Sequence, residues 1–297
     1  MSYHVLQHVV VRMLFDPKFV KAVYAQPEEA LAGLALTSRE HAQILAIDQR
    51  AWGYDSLRQL RSLRTLVEEF KVSSTLALAE TRQLAFLAEF FASPAFHQSV
   101  QQRGSMALGF AQFLADACQK GRLKTPQLPD ILRLETLMAR CRRELLGLPL
   151  DPSPLPERLN ENMRVKLAPG VGVGAFQAQT IATIQQVEKY LFEVGLMPAM
   201  VLCDDAPRLG ALPVVEPKQK IYLMCSPVAT ASLSLIAIER ADYLVLLEAR
   251  ATLPIKQVLD RAVSAGINRT KAQEIIAIAL DQRQLYLTNS PLLEKRN

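Results

Sequence analysis

The sequence has few of the residues that build metal sites and disulfide frameworks. It contains four histidines, four cysteines and one tryptophan among 297 residues. No two cysteines have the C-x-x-C spacing that is typical of zinc and thiol–disulfide sites. We therefore expect a cytoplasmic protein with reduced thiols, in which this chain itself holds no metal or cofactor. The four cysteines are Cys118, Cys141, Cys203 and Cys225.

Charge and hydropathy argue against two further classes of partner. The 34 basic and 29 acidic residues leave a net charge of +5, which is too small a surplus for a nucleic-acid footprint. No apolar run has the length needed to span a bilayer, and the first residues lack the basic and apolar segments of a secretory signal. We expect a soluble protein that binds neither nucleic acid nor a membrane.

Motifs for catalysis or phosphate binding are absent or incomplete. His4 and His8 have a helical spacing that could share a metal ion, but they lack the glutamate of H-E-x-x-H and a third ligand. The glycine run at 170–174 matches neither phosphate-loop pattern, so we interpret it as a turn with positive φ angles. Asp204 and Asp205 are adjacent carboxylates in a loop, where such pairs usually face solvent. We predict that the chain is not an enzyme; a stand-alone enzyme using His4, His8 and Asp204 remains an alternative.

Two domains are predicted, and the fold class is α+β. Residues 1–148 have apolar positions at helical spacing and predict an all-helical domain, with a capping box at Thr37 and Glu40. Four prolines between 149 and 156 predict a stiff linker over 149–160. Residues 161–297 mix strand and helix patterns and predict an α/β domain. The longer amphipathic helical stretches are about 54–70, 75–92, 104–119 and 129–146.

The C-terminal domain contains the outline of a winged helix-turn-helix, over about 218–290. It follows a predicted strand at Met163–Leu167 and a predicted helix over 175–194. Leu233–Ile238 is a further candidate strand. The outline itself consists of strand-like runs at Lys220–Cys225 and Tyr243–Leu247, a helix from Pro254 to Gly266, a second helix from a Thr270/Gln273 capping box to about Leu280, and a wing strand at Leu285–Thr288.

The second helix of this module lacks the charges of a DNA-reading helix. Its predicted inner face is Ile275, Ile276, Ala279 and Leu280. Its predicted outer face is Lys271, Glu274, Ala277, Ile278 and Asp281. DNA phosphates would repel a face with two acids and one lysine. A winged-helix transcription regulator with a helical sensing domain is therefore the alternative interpretation.

An apolar strip with mixed charges at its edges suits an extended peptide. Such a peptide can pair its backbone with an open strand edge and rest alternate side chains against a helix. The segment KIYLMC, Lys220–Cys225, is the predicted host strand, with alternate residues on opposite faces. The predicted peptide-binding residues are Ile221, Tyr222, Leu223, Met224, Lys271, Glu274 and Ile278.

A stripe of arginines lies on one predicted helix, at Arg58, Arg61 and Arg64. One interpretation is a solvated face whose charge is compensated by Glu68 and Glu69. The other is a docking surface for an acidic partner protein. Arginine and aromatic side chains carry most of the energy in many interfaces. The predicted docking residues are Arg58, Arg61, Arg64, Trp52 and Phe96, although Trp52 fits a core position equally well.

Two segments resemble the partner proteins of multinuclear non-haem iron-dependent oxidative enzymes. They are residues 16–52 (DPKFVKAVYAQPEEALAGLALTSREHAQILAIDQRAW) and residues 90–114 (FFASPAFHQSVQQRGSMALGFAQFL). The similarity is to the TglI-like group of 3-thiaglutamate biosynthesis and, more distantly, to the MbnC-like group of methanobactin biosynthesis. These systems modify ribosomally made precursor peptides.

The resemblance implies a division of labour between two proteins. This chain would form a heterodimer with the iron enzyme and hold the precursor peptide through a winged-helix-like peptide recognition element. The iron would belong to the partner. The resemblance further implies that the complex excises the β-carbon of a C-terminal cysteine on the peptide.

Overall fold

The computed structural model describes residues 3–55, 57–102, 104–145, 159–216, 218–229 and 232–288. These residues form an α+β structure with two small antiparallel sheets, which agrees with the predicted fold class. The chain divides into two compact units: unit 1 is Met1–Thr136 with Ile181–Pro213, and unit 2 is Leu137–Thr180 with Val214–Asn297. Each unit draws on two separate stretches of sequence, whereas the predicted domains are contiguous. The predicted linker prolines at 149–156 lie outside the described residues.

The described part of unit 1 contains helices and no strand. Two helix starts follow from local capping. Asp16 accepts hydrogen bonds from two backbone N–H groups in the first turn of its helix, and the predicted Thr37–Glu40 capping box is confirmed. The helices are α1 (Tyr3–Phe15), α2 (Pro17–Ala25), α3 (Pro27–Ala30), α4 (Ser38–Ala46), α5 (Gln49–Trp52), α6 (Arg58–Glu69), α7 (Lys71–Thr81), α8 (Leu84–Ala88), α9 (Pro94–Gln101), α10 (Met106–Gln119), α11 (Leu128–Leu145, as far as Thr136) and α12 (Thr180–Val194, from Ile181).

The predicted continuous helix over 75–92 is wrong, because the helix is interrupted at Arg82. This residue has φ +56°, a left-handed conformation that ends α7, and its backbone N–H bonds the carbonyl of Leu78. Its guanidinium donates to the carbonyl of Val201, which fixes the side chain. Helix α8 starts only at Leu84, and a 3₁₀ turn follows at Glu89–Ala92.

Phenylalanine side chains form the centre of unit 1. Phe70, Phe90, Phe91, Phe96 and Phe110 are fully buried. The ring centroids of Phe90 and Phe96 are 5.3 Å apart, and those of Phe91 and Phe96 are 5.4 Å apart, both edge to face. This is the favourable geometry for aromatic pairs, so the cluster contributes more than its buried area alone.

A buried carboxylate caps helix α7. Phe70 precedes this helix and has no side chain that can accept a hydrogen bond. Glu135 of α11 instead accepts from the backbone N–H groups of Val72 at 2.8 Å and of Ser73 at 3.0 Å. The negative charge lies at the positive end of the helix dipole, which stabilises it there.

Unit 2 contains two three-stranded antiparallel sheets, with strand orders β5–β1–β6 and β2–β3–β4. The predicted strands at Met163–Leu167, Lys220–Cys225, Leu233–Ile238 and Leu285–Thr288 are confirmed, with small differences at their ends. The predicted helix over 175–194 begins only at Thr180, because its first residues belong to a strand. The strands are β1 (Arg164–Leu167), β2 (Gly172–Gln177), β3 (Lys220–Ala229), β4 (Ser232–Ile238), β5 (Leu253–Pro254) and β6 (Leu285–Thr288).

Three further helices complete unit 2: α13 (Arg240–Glu248), α14 (Ile255–Ser264) and α15 (Arg269–Asp281). The predicted strand at Tyr243–Leu247 is wrong, since this run lies inside α13. Glu239 and Asp242 form a capping box there, which starts a helix before the apolar run begins. The start of α14 after Pro254 is confirmed, and the chain turns at Gly266 with φ +87°.

Helix α15 begins at a different cap from the predicted one. The side chain of Asn268 accepts a hydrogen bond from the backbone N–H of Thr270, so Asn268 is the N-cap and Thr270 lies in the first turn. The helices share one apolar core with both sheets, which includes Val165, Met224 and Ile276. Among the described ranges, no helix combines the length and apolar character that crossing a bilayer requires.

Candidate functional site

The predicted host strand, KIYLMC, is the central strand of its sheet. Tyr222 to Cys225 pair with β2 on one side and with β4 on the other. Their backbone groups are therefore already used on both sides, and a peptide cannot add to this strand. The prediction that β3 hosts an incoming strand is wrong for that reason.

Strand β4 is the open edge of this sheet. It pairs with β3, and no strand in the described ranges pairs with its outer side. Ser232, Ile236 and Ala237 are exposed, whereas none of the six residues of β2 at the opposite edge is exposed. An incoming strand therefore meets less obstruction at β4 than at β2.

The composition of β4 leaves this edge unprotected. Its sequence, SLSLIAI, contains neither a charged residue nor a proline. Edge strands usually carry such residues, or a bulge, because they prevent pairing with other chains. The irregularity in the β3–β4 pairing lies between Pro227 and Ala229, so the pairing of Ser234 to Ile238 is regular. The edge is chemically suited to accept another strand.

The register of β4 on β3 assigns its side chains to two faces. Ile236 lies opposite Met224, and Ile238 lies opposite Tyr222, so these four share one face of the sheet. Met224 belongs to the core that includes α13, and the Tyr222 ring contacts Tyr243 of α13 with centroids 4.9 Å apart. The face that carries Ile236 and Ile238 is thus the helix-facing side. Ile236 itself is 43% exposed there.

The two predicted faces of α15 are confirmed. All four predicted inner residues are buried, and all five predicted outer residues are exposed. Ile278 is 54% exposed, with Lys271 and Glu274 exposed on the same outer side. The helix thus carries an exposed apolar side chain among residues of mixed charge.

Acidic partners offset the arginine at the start of α15. Arg269 donates to Glu161 at 2.8 Å and to Asp260 at 2.9 Å. These hydrogen bonds raise the pKa of the guanidinium, which stays charged but is already paired. Arg261 of α14 is likewise paired with Glu248. Arginines that are satisfied by carboxylates are poorly placed to bind a phosphate backbone.

Two predicted docking residues are buried and cannot act as exposed anchors. Trp52 is 8% exposed, and its Nε1 donates to the hydroxyl of Tyr24 at 2.9 Å. Phe96 is 0% exposed and belongs to the phenylalanine cluster. The prediction is corrected for both, because each side chain is enclosed by its own unit.

The arginine stripe of α6 is compensated by nearby carboxylates. Arg58 and Arg61 both pair with Asp55, and Arg64 pairs with Glu68 at 2.8 Å. The hydrogen bond and charge of Arg61 lower the pKa of Asp55. A solvated, internally neutralised face explains these contacts without an acidic partner.

The candidate metal ligands of the sequence are His4, His8, Asp204 and Asp205, and they do not belong to one cluster of metal-binding side chains among the described residues. Among the described residues there is no group of three or more His, Cys, Asp or Glu side chains that could hold an ion. His8 lies against His97, with ring centroids 4.7 Å apart, while His4 is exposed. Asp204 and Asp205 are exposed. The Gly170 N–H, in the glycine run, donates to the carboxylate of Glu144 at 3.1 Å.

The feature that sequence reasoning missed is the edge position of β4. The pattern of Leu233–Ile238 predicts a strand, but KIYLMC, a run of the same length, is the predicted host. No local signal in the sequence marks β4 as an edge, because edge strands usually carry charges or proline and this strand carries neither. No protein-family model matches the chain, and no curated protein matches it.

Proposed function

We propose that this chain is a non-catalytic subunit that binds a ribosomally made precursor peptide by strand addition and presents it to a multinuclear non-haem iron-dependent oxidative enzyme. The observation that carries the peptide-binding part is the open, uncharged outer edge of β4. The identity of the enzyme partner rests on the resemblance of residues 16–52 and 90–114. On this proposal the iron belongs to the partner, and the two proteins form a heterodimer.

Strand addition at β4 explains how one site can hold peptides of varied sequence. The backbone N–H and C=O groups of the peptide would pair with those of β4, which does not depend on side-chain identity. Alternate peptide side chains would lie on the two faces of the sheet. Apolar side chains of the peptide would bury the most surface where they lie next to Ile236 and Ile238 on one face of the sheet or next to Leu235 on the other, so these positions would favour apolar residues.

The helical part of the module supports a peptide rather than DNA as the ligand. The outer face of α15 carries Ile278 on the same side as Lys271 and Glu274, and Arg269 is already paired. The alternative, a winged-helix transcription regulator, needs unpaired basic groups on that helix. A duplex DNA titration at low salt separates the two, because only the regulator binds under those conditions.

The end of the peptide, not the segment held at β4, would reach the iron. A subunit that binds one stretch of the peptide through the peptide backbone leaves the rest of the peptide free to enter the active site of another protein. By the resemblance, that free end is a C-terminal cysteine whose β-carbon is removed. The partner enzyme supplies the oxidative chemistry, and this chain raises the local concentration of the peptide.

The test is selection of binding peptides from a displayed random library against the full-length chain. Ile236→Lys places a charge on the edge and is expected to lower the affinity of the selected peptides by more than about tenfold. Val263→Lys is the matched control, because Val263 is 45% exposed on α14 in the same unit. Equal loss in both variants, or no loss in either, contradicts binding at β4. Dimerisation of the chain through β4, with no peptide enriched, also contradicts it.

A further inference from the structure

Two buried cysteines of unit 2 are adjacent although they are far apart in sequence. Cys141 lies on α11 and is 2% exposed, and Cys225 lies on β3 and is 0% exposed. Each thiol shifts the pKa of the other, as neighbouring thiols do. They are in separate elements, so the folded structure is what brings them together.

Gly172 shows how the two sulfur atoms come to share one space. It lies directly opposite Cys225 in the β2–β3 pairing. A Cβ atom built on Gly172 would be only 2.7 Å from the Sγ of Cys141. Opposite Cβ positions in an antiparallel pair are about 5 Å apart on the same face. The Cys141 sulfur therefore occupies the position where a side chain beside Cys225 would otherwise lie.

We propose that Cys141 and Cys225 form a reversible disulfide when the protein reacts with hydrogen peroxide. Hydrogen peroxide is named as the oxidant because it is small and both thiols are almost fully buried. The inference rests on the position of the two thiols, and it holds whether or not β4 binds a peptide.

The reaction balances with one peroxide. The Cys225 thiolate attacks one oxygen, the O–O bond breaks, and a sulfenic acid forms on Cys225 while hydroxide leaves as water after taking a proton. The Cys141 sulfur then attacks the sulfenic sulfur, the S–O bond breaks, and a second water leaves. The two thiols together lose two electrons, and the peroxide is reduced to two waters.

The environment distinguishes the roles of the two sulfurs. The neighbouring Cys141 thiol lowers the pKa of Cys225, and the nearby Arg142 charge acts in the same direction. The pKa of Cys141 is raised by the Cys225 thiol and by burial. Because the thiolate is the nucleophile, Cys225 attacks the peroxide and Cys141 resolves the sulfenic acid.

The disulfide would link α11 covalently to β3, the central strand of the sheet. Cys225 is paired with Gly172 of β2 and with Leu235 of β4, so the crosslink is made at the middle of the sheet. The loop between the two cysteines is long, and closing long loops in the unfolded chain raises stability. We expect the oxidised protein to melt several degrees higher than the reduced protein.

The experiment uses the full chain treated with hydrogen peroxide, denatured with an alkylating agent and analysed by intact mass and non-reducing peptide mapping. The expected result is one crosslinked peptide pair containing Cys141 and Cys225, with a mass loss of about 2 Da relative to its two reduced peptides, and full reversal of this crosslink by dithiothreitol. The exposed Cys203 reports that the peroxide dose was sufficient. Alkylation of both buried thiols at a dose that oxidises Cys203 overturns the proposal.

A second arm separates the internal pair from exchange with other cysteines. In a Cys118→Ser, Cys203→Ser background the same mass loss is expected. Adding Cys141→Ser should replace it by a gain of one oxygen on Cys225. A disulfide that contains Cys118 or Cys203 and leaves both buried thiols free contradicts the assignment, and it is visible in the unsubstituted chain without any variant.

Discussion

His8 of α1 and His97 of α9 lie together, and we expect this pair to make unit 1 sensitive to acid. His97 lies edge to face against His8, and both of its ring nitrogens are buried without a hydrogen-bond partner among the described residues. Burial, followed by the charges of His8 and Arg12, lowers the pKa of His97 to about 4, although Asp16 acts in the opposite direction. Burial and Arg12 also lower the pKa of His8.

The size of the effect follows from the difference between the folded and unfolded states. His97 has a reference pKa of 6.5, and a difference of about 2.5 pKa units is worth about 3 kcal/mol. The ring is partly exposed, so we reduce this to about 2 kcal/mol. Because the unfolded chain binds the proton more tightly, this stability is present above pH 6.5 and is lost as the pH falls towards 4.

The perturbation that tests this reasoning is His97→Phe. Phenylalanine keeps the ring next to Phe96 and removes both unpartnered nitrogens, so we expect about 1 kcal/mol more stability at pH 7.5. Urea unfolding from pH 4 to pH 7.5 should show a shallower loss of stability towards acid than in the unsubstituted chain, with His8 and carboxylates such as Asp55 contributing the remainder. His4→Phe, at an exposed position of α1, is the control. An unchanged acid loss in His97→Phe refutes the assignment.

Three further predictions concern packing and the site. Gly109→Ala should destabilise the chain by about 1 kcal/mol in urea unfolding, although alanine has the better helix propensity. The reason is that the new Cβ would lie 3.0 Å from the carbonyl oxygen of Ala95. An unchanged urea midpoint contradicts this contact. Trp52→Phe should lower the stability by about 1–2 kcal/mol in thermal unfolding through the lost hydrogen bond to Tyr24, and binding of a co-expressed iron enzyme should be unchanged. Unchanged stability with weaker binding of the enzyme would instead support Trp52 as a docking residue. Ile278→Asp should weaken binding of a selected peptide by about 1–3 kcal/mol in calorimetry if the peptide also contacts the outer face of α15, and equal affinity would exclude that contact.

The parts of the fold that the sequence predicts are those decided by local chemistry. The T-x-x-E box at Thr37, the helix stop at Gly266 and the two faces of α15 need only a few neighbouring residues to be recognised. The same reasoning fails at Tyr243–Leu247, where an apolar run looks like a strand. The run is helical because Glu239 and Asp242, which precede it, form a capping box that starts α13.

The parts that the sequence does not predict depend on residues distant along the chain. Nothing local indicates that Glu135 caps α7, or that Phe96 is enclosed by Phe90 and Phe91. Strand order is of the same kind, because KIYLMC reads as a good host strand until β2 and β4 are seen to pair with it on both sides. The peptide-binding prediction therefore moves by one strand, to β4.

Amide hydrogen exchange along β4 is the most direct measurement of the account. It should be recorded on the full chain with and without a peptide selected from the displayed library. Strand addition predicts that amides between Ser232 and Ile238 which exchange quickly in the free protein become protected, and that Ile236→Lys removes this protection while Val263→Lys keeps it. Tight peptide binding that leaves the exchange of β4 unchanged would contradict the claim that this edge receives the peptide.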